Sequence, residues 1–190
     1  VAAQLPATSL ATQVPKPTMP GDRIADFLSI PLPPPLAVGA SETQLMVGGY
    51  ARTYVAVVPP PSAKPRSLLI VLHGVNGRGV NMRAMGFEPG AAANGTIVVY
   101  PDAIGGSWND GRVGMEPMQT GMVTDDVAFV RAVIDDVAAR GNVDPNRVAI
   151  AGFSNGAMMA GRLACDLSDR VRGAALVAGT AAQNYRDVCR

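Results

Sequence analysis

The ten residues Val148-Ala149-Ile150-Ala151-Gly152-Phe153-Ser154-Asn155-Gly156-Ala157 constrain this chain more than any other stretch. A short apolar run leads directly into Gly-x-Ser-x-Gly, and residues suited to a helix follow. An apolar run of this length, bounded by glycine, reads as a strand buried on both faces. The glycines fall where a sharp strand-to-helix turn leaves no room for a Cβ, and such a turn lifts the serine hydroxyl above the sheet edge. Eight serines and 21 glycines among 190 residues give about 0.1 chance occurrences of the bare pattern. The flanking strand and helix therefore carry the specificity. The bland alternative is a glycine-rich turn whose serine only caps the helix.

The rest of the chain fits around that unit. Gln44–Val47 and Tyr50–Val58 are β-rich runs separated by Gly48-Gly49, which predicts a β-hairpin. Ser67–Leu72 and Thr96–Tyr100 are further buried strands, and Ala84–Asn94 holds a helix interrupted at Gly86 and Pro89. Asp125–Arg140 carries an apolar stripe of Val127, Val130, Val133, Ile134 and Val137, with Thr124 expected as its N-cap and Gly141 as its stop. A helix over Ala157–Cys165 and a strand over Ala174–Val177 complete the pattern. A hairpin followed by alternating strands and helices predicts an α/β fold, a mainly parallel sheet with helices on both faces. Residues 1–40, with eight prolines and no sustained periodicity, read as a tail or linker, so the folded domain is expected over 41–190.

Composition narrows the function mostly by exclusion. Sixteen basic residues stand against 15 acidic ones with no basic run, which offers no footprint for nucleic acid or an anionic membrane surface. No stretch reaches the roughly 20 apolar residues of a membrane-spanning helix. No Cys/His/carboxylate spacing suggests a metal, and no phosphate loop or other cofactor motif is present. Asp125 and Asp126 are expected merely to complement a helix dipole, and Asp135 and Asp136 to be solvated. Cys165 and Cys189 are either idle thiols or a local bridge across one helix-loop-strand unit.

The chemistry converges on three segments. Ser154 is the candidate nucleophile, at a helix N-terminus that favours developing negative charge. Leu72-His73-Gly74-Val75-Asn76-Gly77 follows an earlier strand, where this architecture supplies one oxyanion donor, while the residue after the nucleophile supplies the other. The backbone amides of Val75 and Asn155 are the expected donors, each worth about 3–4 kcal/mol of transition-state stabilisation. His73 is the sole histidine. In hydrolases with this elbow the order of parts is serine, acid, histidine, so His73 and Gly74 are expected to brace the oxyanion loop, not to act as base.

Several of these stretches resemble the polyhydroxybutyrate depolymerase and feruloyl esterase family of secreted bacterial esterases, which includes mycobacterial lipoproteins. They are Leu72-His73-Gly74, Tyr100-Pro101-Asp102-Ala103, Trp108-Asn109, Asp125–Val130, Asp144–Val148 and Gly152–Met159. Together they cover roughly residues 50 to 190 in the family's order. The resemblance implies an α/β-hydrolase fold, a Ser-Asp-His triad acting through an acyl-enzyme on polyester, feruloyl or acetyl sugar esters, and no cofactor. It implies an extracytoplasmic location, with a lipid anchor upstream of Val1 as one form of it, and favours both a Cys165–Cys189 bridge and a place for Trp108 beside the substrate pocket. Lone tryptophans also serve as plain packing. The chain departs from the family in a Met-rich stretch over 114–124 with no cysteine after Trp108-Asn109. Strands bearing the triad Asp and His are also missing, so the domain is expected to be incomplete at its C-terminal side. The competing expectation is a non-catalytic hydrolase fold that serves as an accessory or binding subunit for a protein partner.

Overall fold

A computed structural model describes residues 33–112, 124–183 and 189 of the chain. Six strands form one sheet: β1 (Gly39–Val47), β2 (Tyr50–Val58), β3 (Arg66–Leu72), β4 (Thr96–Pro101), β5 (Val143–Phe153) and β6 (Gly173–Val177), in the order β1-β2-β4-β3-β5-β6. The first two strands form the expected hairpin across Gly48-Gly49, with Val47 opposite Tyr50. β2 runs antiparallel to β4, whereas β4, β3, β5 and β6 are mutually parallel. The carboxyl ends of those four strands therefore share one rim, where α/β sheets place their ligands.

Period-2 alternation along the strands sorts their side chains into two cores. Tyr54, Ala56 and Val58 of β2, Leu68, Ile70 and Leu72 of β3, and Ile97 and Val99 of β4 face one side. There they pack on Phe129, Val130, Val133, Ile134 and Val137 of α2 (Asp126–Gly141) and on Met159, Ala160 and Leu163 of α3 (Asn155–Asp166). Val55, Val71, Val98 and Tyr100 face the other side, against Met82 and Phe87. Those two residues lie in a 3-10 turn (Gly79–Met85) and in the short helix α1 (Phe87–Ala93), joined at Gly86. The interrupted helix expected over 84–94 thus resolves into two short pieces, because the backbone at Gly86 is left-handed, φ 78°.

Three expectations need correction. The N-cap of α2 is Asp125, whose carboxylate accepts from the Ala128 amide at 2.8 Å, while Thr124 turns inward, buried, with its hydroxyl 3.4 Å from Asp126. Asp126 does more than complement a dipole: it is fully buried and paired with Arg52 at 2.7 Å. Asp135 is exposed as expected, beside Arg170, but Asp136 is largely withdrawn from solvent and bonded to both Tyr54 and Arg140. Burial, and then the hydrogen bond donated to Asp136, push the Tyr54 phenol well above its ordinary value.

Within the described residues the compact unit starts at Pro33. Leu36 is buried and its amide donates to the Arg140 carbonyl at 3.1 Å, while the Arg140 guanidinium donates to the Pro34 carbonyl. The last residues of the proline-rich stretch therefore dock on the end of α2. Most of the segment expected as a tail, and all but the last residue of the Met-rich stretch over 114–124, lie outside the described residues.

Candidate active site

Ser154 sits between the end of β5 and the first turn of α3 with φ 55° and ψ −118°, a conformation rare for a residue with a side chain. The sharpness of this turn is enforced sterically. A Cβ on Gly152 would lie 2.0 Å from the Gly156 carbonyl oxygen, and one on Gly156 would lie 2.4 Å from the His73 oxygen and 2.5 Å from that of Leu72. The elbow is thus pressed against the end of β3. Its amide donates to the Val177 carbonyl at 2.9 Å, which ties the turn to β6 as well. The serine side chain makes no capping bond to α3, which removes the reading of Ser154 as a simple helix cap.

Gly74 lies beside Ser154: a Cβ placed on it would come 3.3 Å from the Ser154 Cβ. Val75, the expected first oxyanion donor, follows on an exposed turn, and Asn155, the expected second, is the first residue of α3. The two amides thus lie on segments that meet at the elbow. Asn76 adopts φ 61° and its amide donates to the Gly106 carbonyl at 2.8 Å.

His73 is only 1% exposed and both of its ring nitrogens are engaged by backbone. Nε2 accepts from the Ala103 amide at 3.0 Å, and Nδ1 lies 2.7 Å from the Gly74 carbonyl. An acceptor at Nε2 requires the proton on Nδ1, so the Gly74 bond is a donation from the ring. Burial holds the His73 pKa below the ordinary 6.5, the Gly74 bond opposing it. The ring is a neutral strut under the loop.

Trp108 is 2% exposed, and its indole N–H donates to the His73 carbonyl at 2.9 Å, with the ring tilted against the imidazole at 5.0 Å. Among the described contacts it packs beneath the loop that follows β3. The reason is the polar handle of the indole: it gives a buried carbonyl at the end of β3 a donor.

Asn155 carries more than a backbone amide. Its Oδ1 accepts from the Trp108 amide at 2.7 Å and from the Ser107 hydroxyl at 3.4 Å, while its Nδ2 donates to the Trp108 carbonyl at 3.1 Å and to Asp110 at 2.6 Å. Asp110 is buried in turn against the Arg112 guanidinium, 2.8 Å away. Residue patterning missed this network, because Ser107, Asp110 and the side chain of Asn155 lie on non-periodic segments. The adjacent Trp108-Asn109 pair was the only signal.

On the outer side of the loop that follows β3 lies an open cleft of about 450 Å³, lined among others by Arg52, Thr53, Asn76, Arg78, Asp102 and Gly106. It sits at the carboxyl end of β4, two strands from Ser154. No group of three or more potential metal ligands occurs among the described residues. Cys165 and Cys189 are both thiols, so the expected bridge is not formed in this structure. They are nonetheless neighbours: burial, and then a hydrogen bond to Cys189, push the Cys165 thiol up to about 11. The pair stands in its reduced form, from which an S–S bond arises only by two-electron oxidation.

A family model described as Phospholipase/Carboxylesterase matches residues 53–186. NocK of Nocardia uniformis subsp. tsuyamanensis, a protein named as an esterase, is 34% identical over 173 residues, which cover 87% of this chain and 49% of NocK. Feruloyl esterase B of Piromyces equi is 34% identical over 117 residues, covering 59% of this chain and 20% of that protein. Among solved structures, a thermostable esterase superposes with a TM-score of 0.65 at 18% identity, over 79% of this chain and 44% of its own. The chain spans about half the length of NocK and less of feruloyl esterase B.

Proposed function

The chain belongs to the phospholipase/carboxylesterase family of α/β-hydrolases, and from that premise we propose that it is the nucleophile-bearing part of a serine esterase working through an acyl-enzyme on Ser154. The observation that carries this reading is the left-handed elbow, φ 55°, which leaves the Ser154 hydroxyl uncommitted to its helix beside Gly74. In the reaction the Ser154 oxygen attacks the ester carbonyl carbon and its proton passes to a base. The oxyanion forms between the Val75 and Asn155 amides, at the positive end of the 12-residue helix α3. Collapse breaks the ester C–O bond and the alcohol leaves with that proton; water then releases the acid from Ser154.

His73 is not the base in this reading, since both of its nitrogens are held by backbone. The base is a histidine that is not among these 190 residues, oriented by an acid. The cleft at Thr53, Arg78 and Asp102 is proposed to receive a non-reacting part of the substrate. Carboxylic esters such as feruloyl, acetyl sugar or polyester esters are the proposed substrates, and an extracytoplasmic location goes with them. No helix among the described residues is long and apolar enough to cross a membrane.

A second reading, a non-catalytic accessory subunit, draws on one observation: the sole histidine of the 190 residues is consumed as a strut. A fluorophosphonate probe and an aryl acetate separate the two. The esterase reading expects covalent labelling at Ser154, and turnover that falls by several orders of magnitude in Ser154→Ala. An intact protein that neither labels nor turns over esters belongs to the accessory reading.

A further inference from the structure

The segment 102–112, between β4 and α2, is not needed to close the sheet, yet it is bonded both to the loop after β3 and to the first residue of α3. Its start is held by Asp102, which accepts from the Gly79 amide and from Thr53, and whose carbonyl accepts from Arg52. Its far end is held by Asn109, whose amide donates to Asp126 at 2.7 Å and whose carbonyl accepts from Arg162 at 2.8 Å. Between these anchors, two residues reach both halves of the proposed oxyanion hole. The Gly106 carbonyl takes the amide of Asn76, the residue directly after Val75. The Trp108 indole takes the carbonyl of His73, two residues before Val75. The Trp108 backbone amide and carbonyl both bond the side chain of Asn155, whose own amide is the second donor.

We infer that this segment is a strap that sets the spacing between the two oxyanion donors, with the Trp108 indole and the Asn155 side-chain amide as positioning residues for catalysis. The inference rests on the esterase reading of Ser154 for its catalytic meaning. The physical argument is one of shared reference. Val75 and Asn155 belong to different β-α units, which also meet through the β3–β5 pairing and through the close approaches at Gly74 and Gly156. Oxyanion stabilisation depends on donors pre-set to the tetrahedral oxygen, not to the ground-state carbonyl. Gly106 and Trp108 are two residues apart, so a single short segment registers both donors to each other. The amide side chain of Asn155 spends its donors and acceptors on Ser107, Trp108 and Asp110 in a buried setting. Its rotation, and with it any tilt of the first turn of α3, is opposed by all of them. Asp110, buried and paired with Arg112, anchors the far side.

The test uses the intact protein with Trp108→Phe, which keeps a ring against His73 but removes the indole donor, and Asn155→Ala, which keeps the backbone amide but removes the side-chain bonds. Active sites are counted with a fluorophosphonate so that misfolded protein does not enter the rate. The expected result is a fall in kcat per labelled site approaching about 100-fold, with KM changed little, since small misplacements of reacting groups cost that much. Affinity for an aryl boronate, which forms a tetrahedral adduct on the serine, should fall by the same factor as kcat/KM. A merely structural role lowers thermal stability but leaves kcat per labelled site and boronate affinity at wild-type values, and that outcome overturns the inference. Were the wild-type protein to show no turnover, the esterase reading would fail, and the strap would still be read by amide NMR. Trp108→Phe should shift the Val75 and Asn155 amide resonances together. Shifts confined to residues 106–110 would overturn it.

Discussion

His73 shows how one side chain is taken out of acid–base service by its surroundings. Two backbone bonds fix its tautomer and burial disfavours its charged form, so its pKa is held below the ordinary 6.5. The sign of the linkage follows. In the unfolded chain the ring titrates at its ordinary value, so it takes up protons there before the folded state does. This contribution to stability is present above about pH 6.5, is lost as pH falls from there through the folded-state pKa, and then levels off. Because the sequence has one histidine, a single imidazole Cε1–H resonance should titrate below pH 6.5 in the folded chain, and denaturant midpoints should fall over the same window. A ring that titrates at or above 6.5 would contradict the buried strut. The elbow glycines were legible in the sequence for a comparable reason: a close approach of backbone to backbone admits only one residue type. Gly156→Ala should cost about 1–3 kcal/mol or more by forcing β3 from α3, measured by chemical denaturation.

Strands and helices that pack on a periodic face were readable before any coordinates, because burial on one or two faces imposes periods of 2 and 3.6 on the residues. β3, β4, α2 and α3 fall within a few residues of their expected bounds. What escaped was polar and non-local. Thr124 and Asp125 are both good caps by type, and only the inward turn of Thr124 decides for Asp125. Asp125→Ala should therefore lower stability by about 1 kcal/mol, whereas a cap at Thr124 would leave it unchanged. The Arg52–Asp126 pair joins β2 to α2 across 74 positions, with the guanidinium also 3.9 Å over the Phe129 ring. No local pattern announces a partner so distant. Asp126→Ala leaves a buried cation and the Asn109 amide without their acceptor, and should cost about 3–5 kcal/mol by thermal or denaturant unfolding. The cysteines belong to this scale as well. Oxidising conditions should close Cys165–Cys189, abolish both free thiols under denaturing titration, and add roughly 3–4 kcal/mol in the chain-entropy model. Two thiols persisting in protein from its native compartment would show that the hydrogen-bonded reduced pair is the resting state.

At the scale of the molecule, the parallel strands bring His73, Asp102, Ser154 and the end of β6 to one rim, although in the chain they lie as much as a hundred residues apart. The sequence disclosed the parts of that rim by their motifs and their order, while the strap that joins them became visible only through its bonds. The rim also separates two roles that a lone histidine invites one to merge. If His73 were the proton acceptor for Ser154, its replacement would abolish the acidic limb of the pH–rate profile, since that limb reports the base of the free enzyme. If it is a strut, the limb belongs to another group and survives. His73→Gln keeps an acceptor for the Ala103 amide and a donor for the Gly74 carbonyl, so the loop has a fair substitute while imidazole chemistry is gone. In the intact protein this variant should keep the acidic-limb pKa of kcat/KM on an aryl ester, with kcat lowered about 10- to 100-fold by looser placement of the Val75 amide. Loss of the limb, with fluorophosphonate labelling of Ser154 lost in parallel, would make His73 the base and require its ring to leave the two backbone bonds during turnover.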